Sequence, residues 1–129
     1  MRKKGFTVAE IIVVGIFAAL LFILFFIQKA NVDAMDRDDQ RKIAINAMYY
    51  ALEEGFYAQN GYYPEAISED VLPVMDPALF TDPLGNNLGV DGSTYSYEPA
   101  NCDNGKCKEY TLKAILEKED AYIKRNRSN

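Results

Sequence analysis

The chain has 129 residues, a one-domain length, with 14 Lys and Arg against 19 Asp and Glu and a net charge of −5. Without Arg2, Lys3 and Lys4 the balance is 11 against 19, too acidic to expect a phosphate-binding, nucleic-acid surface. There is no His and there are only two Cys, which removes most zinc sites and the commonest general base; no nucleophile elbow, phosphate loop or Ser/His/Asp set is present, so no enzyme is expected.

Residues 1–5, Met-Arg-Lys-Lys-Gly, form a short basic leader. Residues 6–27 follow as 22 residues carrying one charge, Glu10, long enough to cross a bilayer core as a helix. The basic leader keeps its own end cytoplasmic and sends the rest outward. Residues 28–61 read as a second, amphipathic helical half without Pro. Val32 and Met35 are spaced by three; Ile45, Met48, Leu52 and Phe56 recur at three or four, interleaved with Ala44, Ala47 and Ala51. From Asp33 to Lys42 the composition is heavily charged and reads as a solvated stretch. Asn60-Gly61, with Pro64 following, marks a helix stop. A helix over residues 6–60 is about 80 Å long and must find partners in lipid or in other subunits.

Residues 62–129 remain for a head of about 70 residues, near the low end of what folds without extra help. Tyr49, Tyr50, Phe56, Tyr57, Tyr62 and Tyr63 make an aromatic helix end suited to core packing. Asp76-Pro77 offers an N-cap and a first helical position. Asp82-Pro83-Leu84-Gly85-Asn86 is a turn sequence. Two alternating runs then flank Asn104-Gly105, the favoured two-residue hairpin turn. Centring the hairpin there pairs Tyr97 with Leu112, Tyr95 with Ala114 and Cys102 with Cys107, so turn chemistry and apolar pattern give one register, with strands over 94–101 and 108–117. Lys124, Arg125 and Arg127 read as a solvated basic tail.

Gly5-Phe6-Thr7-Val8-Ala9-Glu10, preceded by basic residues and running into an unbroken apolar helix, resembles the prepilin motif of type IV pilins and pseudopilins. Ala51-Leu52-Glu53-Glu54 leading to Gly61-Tyr62-Tyr63-Pro64, then Asp82-Pro83-Leu84-Gly85, and the run from Tyr110 to Glu117 are similar to pilin sequence as well. The resemblance implies an α+β subunit whose long N-terminal helix, transmembrane in its first half, packs on a small antiparallel sheet. It implies a prepilin peptidase cutting between Gly5 and Phe6 and methylating the new Phe6 amine. It further implies a homopolymer built by a platform protein and a cytoplasmic ATPase. The subunit would pass from the cytoplasmic membrane into an extracellular pilus serving adhesion, twitching motility or DNA uptake. Assembly would pair Glu10 of an incoming subunit with the Phe6 amine of its neighbour, because a carboxylate buried in a fibre core needs an adjacent cation.

An exported head also suits a structural disulfide between the opposed Cys102 and Cys107. No metal is expected. Major pseudopilins hold calcium in a comparable region, which makes Asp82, Asn86 and Asp91 the residues to inspect, but the D-x-D-x-D-G pattern is absent and the segment reads first as a Gly/Asn turn. Three competing readings remain. One is a pseudopilin of a secretion or competence machine. Another is a monomeric membrane-anchored binding protein in which Glu10 snorkels to the interface. The third is a secretory signal peptide cut after Val32-Asp33-Ala34, though its apolar stretch exceeds the usual ~7–15 residues.

Overall fold

Helix α1 spans Val8–Tyr50 in the computed structural model, which describes residues 4–127. The helical path continues through a π-helical stretch, Ala51–Tyr57, and a last α turn, Ala58–Asn60. It stops where the sequence places the stop: Gly61 takes φ 76°, the left-handed conformation that glycine adopts without penalty, and its N–H caps the Tyr57 carbonyl. Two compact units divide between Ala34 and Met35. Met1, Arg2 and Lys3 of the expected leader lie outside the described residues, as do the last two residues of the tail.

The second unit is α+β. One four-stranded antiparallel sheet holds β1 (Tyr63–Pro64), β2 (Tyr95–Asp103), β3 (Lys106–Ala114) and β4 (Tyr122–Arg125). Strand β3 is central. It pairs with β2 on one side and with β1 and β4 on the other. The β2–β3 register is the one the Asn-Gly turn dictates: Tyr95 faces Ala114, Tyr97 faces Leu112 and Cys102 faces Cys107. Asn104 and Gly105 take φ 50° and 78°, both positive as a type I′ turn requires. The strands differ from expectation at their ends. They run to the turn itself, and β3 stops at Ala114 rather than continuing to residue 117.

Ala44, Ile45, Met48, Ala51 and Leu52 of the helix bury against Tyr95, Tyr110, Leu112 and Ala114 of the sheet, forming one core. Phe56 and Ala47 are only partly buried. The amphipathic stripe does not extend back to Val32 and Met35, which are exposed. Between the layers' edges, a 3₁₀ turn at Pro77–Phe80 is capped by the Asp76 carboxylate, which accepts from the Ala78 N–H at 3.0 Å, with Pro77 at the first position.

Two sequence expectations are corrected here. The stretch from Asp33 to Lys42 is not wholly solvated: Asp38 and Arg41 are 2% and 1% exposed. Arg41 donates to the Asp38 carboxylate at 2.8 Å and to Glu117 at 2.7 Å, so each buried charge meets its opposite. The basic tail is likewise not a free end. Lys124 and Arg125 lie in β4, paired with Leu112 and Thr111. Arg127 donates to Glu54 and to the Tyr49 hydroxyl.

Candidate functional site

The first unit places its chemistry at the start of α1. Lys4 to Thr7 carry no regular structure, and Gly5 and Phe6 are exposed, so the peptide bond between them lies on open backbone. Thr7 then caps the helix. Its N–H donates to Glu10 Oε2 at 2.6 Å, its hydroxyl donates to the same oxygen at 3.0 Å, and the Glu10 N–H donates back to Thr7 Oγ1 at 3.3 Å. Thr7 and Glu10 therefore form a capping box, which satisfies helix-end N–H groups that have no partner within the helix. Thr7-x-x-Glu10 before an apolar run is the sequence signature of such a box. Both Thr7 bonds fall on Oε2; among the described residues, Oε1 accepts none.

From Phe6 to Ile27, 16 large apolar side chains are 51–79% exposed, and those on the helix lie around its full circumference. The helix is long and apolar enough to cross a membrane. Side chains of this kind lose on the order of 1.5–3 kcal/mol each when left in water rather than buried. Gly15 meets no atom within 4 Å, so it leaves space along this surface for the backbone of a neighbour.

The head's polar groups are largely engaged in holding it together. Asp38 accepts from the Glu117 and Lys118 amides, both at 2.8 Å, and thereby pins the segment after β3 to the helix. Burial alone would raise the Asp38 carboxyl; the two amides and the Arg41 guanidinium outweigh it and hold it below the usual range. Glu117 takes a two-pronged contact from Arg37 at 2.8 Å as well as the Arg41 bond, and these lower its carboxyl to about 2. Glu53, buried in the π-helical stretch, accepts from the Tyr63 and Tyr110 hydroxyls and from the Arg127 N–H, tying helix, sheet and tail together. The helix-end aromatics do pack inward in part: Tyr63 is buried, with Tyr57 stacked on one side of it and Tyr110 edge-on at 4.7 Å.

Cys102 and Cys107 are bonded to each other with Cα atoms 3.9 Å apart. They sit one pair in from the turn-closing Asp103 and Lys106, the position where opposed strands approach most closely. Among the oxygens considered for calcium, Asp82 is buried and already spent. Its carboxylate accepts from the Leu84, Asn86 and Thr94 amides and from the Thr94 hydroxyl, and burial is outweighed so that its carboxyl is lowered. The Asn86 amide group donates to the Gly92 carbonyl, and Asp91 is exposed. Among the described residues, no three His, Cys, Asp or Glu side chains group to hold a metal. Gly85 at φ 89° and the Gly85 N–H donating to the Asp82 carbonyl make this segment a turn. No family model, curated protein or solved structure matches the chain.

Proposed function

We propose that the chain is a structural subunit that polymerises through its N-terminal helix after cleavage between Gly5 and Phe6, as a type IV pilin or pseudopilin does. The observation that carries the reading is the pairing of a capping-box carboxylate at Glu10 with an apolar helix exposed on every side. Neither a lipid anchor nor a signal peptide needs an acid at that position, and in a membrane interior the acid is costly. In a polymer it has a use. Cleavage turns Phe6 into an amine next to the capped turn, and the free edge of the Glu10 carboxylate accepts the Phe6 amine of a neighbouring copy. The pair fixes the axial register of one subunit on the next. The subunit is held in the cytoplasmic membrane until an ATPase-driven platform extracts it into an extracellular fibre for adhesion, motility or DNA uptake.

The test is electron microscopy of material sheared from expressing cells and from cells lacking the gene, with peptide sequencing of the sheared band. Fibres present only in the first, and containing this chain, support the reading. Fibres unaffected by the deletion oppose it.

A further inference from the structure

A cavity of about 190 Å³ opens between α1 and the segment at residues 78–83. Ile43, Ala44, Ala78 and Leu79 give it aliphatic walls, and it meets solvent where Ile43 and Ala78 are exposed. Tyr95, at the start of β2, also lines it and is 4% exposed. The Tyr95 hydroxyl differs from those of the other tyrosines packed into the head. Tyr63 and Tyr110 donate to Glu53, Tyr97 to the Pro64 carbonyl and Tyr122 to Asn46. Among the described residues the Tyr95 hydroxyl has no hydrogen-bond partner. Burial pushes it up to about 12, with the Asp82 charge adding to the effect, so at neutral pH it keeps its proton and remains a donor. The other polar side chains on the wall are already engaged. The Gln40 amide donates to Asp36 at 2.8 Å and the Thr81 hydroxyl to Asn87 at 2.6 Å. The buried Asp82 carboxylate accepts from three amides and a hydroxyl. Among the described residues neither a Lys nor an Arg lines the cavity.

We infer that this cavity binds a small neutral molecule with a compact aliphatic body and one carbonyl oxygen, which accepts from the Tyr95 hydroxyl. A buried tyrosine hydroxyl ordinarily has a partner, and this one faces a space that a ligand can enter. An ordered water needs two to four polar partners; the free donor is one, and the walls around it are chiefly aliphatic. The chemistry of the ligand follows from the wall. A carbonyl accepts without bringing a donor of its own, which an alcohol would leave unpaired. A carboxylate would stand against the Asp82 charge with no cation on the wall to offset it. An apolar cavity of about 150 Å³ takes a benzene-sized molecule, so a six-membered ring with one oxygen fits here. The inference is independent of polymerisation, since every group it uses lies in the head.

Cyclohexanone is the probe. It is titrated into the full chain in detergent, labelled at its isoleucine and leucine methyl groups, and the Ile43 and Leu79 signals are followed by NMR. Those two signals shift and saturate in the millimolar range, while the signals of Ile115 and Ile123, which do not line the cavity, stay in place. Tyr95→Phe keeps the ring and weakens binding about fivefold, as the loss of one neutral hydrogen bond requires. Methylenecyclohexane, which has the same shape without the oxygen, binds the parent and the Tyr95→Phe variant equally. Ala78→Leu, at the exposed mouth, abolishes the saturating shift, and it carries the test if Tyr95→Phe does not fold. Shifts that rise linearly at every methyl group, equal cyclohexanone affinity for the parent and Tyr95→Phe, or binding undiminished by Ala78→Leu each overturn the inference.

Discussion

Replacing Asp38 with Ala removes one carboxylate from the buried network, and the cost follows from what it leaves behind. The Glu117 and Lys118 amides, each 2.8 Å from Asp38, lose their acceptor in a part-buried site. Arg41 loses one of its two carboxylates but keeps Glu117 at 2.7 Å, so it is not left as an unpaired buried charge. At about 1 kcal/mol for each group disturbed, the low end for orphaned donors, the loss is about 3 kcal/mol. For a folded unit the size of Met35–Asn129 this lowers the melting temperature by about 12–24 °C. The assay is thermal unfolding of the full chain in detergent, followed by tyrosine near-UV circular dichroism at neutral pH. Asp33→Ala, on the exposed side of the helix, is the control and should stay within about 0.5 kcal/mol of the parent. A shift for Asp38→Ala no larger than the control's would refute the reasoning, because it would mean water replaces the network at no cost.

Three further outcomes follow from the same geometry. Glu10→Val leaves membrane insertion intact and sharply reduces fibre yield, measured by quantifying sheared fibres against cell-bound precursor; undiminished yield would contradict the register role. Replacing Cys102 and Cys107 together with Ser costs about 2 kcal/mol in a denaturant titration, the entropy of a small closed loop, and lowers the midpoint without changing the slope. The lowered carboxyls of Asp38, Asp82 and Glu117 stabilise the folded head fully above their ordinary unfolded values. That contribution is lost as pH falls from about 4 toward the Glu117 value of about 2, so a melting temperature unchanged between pH 5 and pH 2 would count against the network.

What was legible in the sequence was whatever short-range chemistry decides. Asn104-Gly105 can form a two-residue hairpin only with both φ values positive, and that alone fixes which residues face each other, including the two cysteines. Gly61 ended the helix for the same kind of local reason. The features that were missed depend on distant partners. Tyr122–Arg125 is too short and too charged to read as a strand; it forms because β3 offers an open edge beyond β1. Asp38 and Arg41 look like surface charges until the segment at residues 117–118, nearly 80 positions later, folds over them. The π-helical stretch Ala51–Tyr57 is announced by no local pattern; its buried Glu53 accepts from Tyr63, Tyr110 and Arg127, the last 74 positions along the chain. The capping box is the exception, a local signal that was readable in Thr7-x-x-Glu10 and overshadowed by the apolar run behind it.

The proposed polymerisation requires that Phe6 become a free N-terminus beside Glu10. Mass spectrometry of the N-terminal peptide from the extracellular form measures it directly. The expected peptide begins at Phe6, with or without one added methyl group. A peptide beginning at Met1, or at Met35 after loss of the whole apolar helix, contradicts the account.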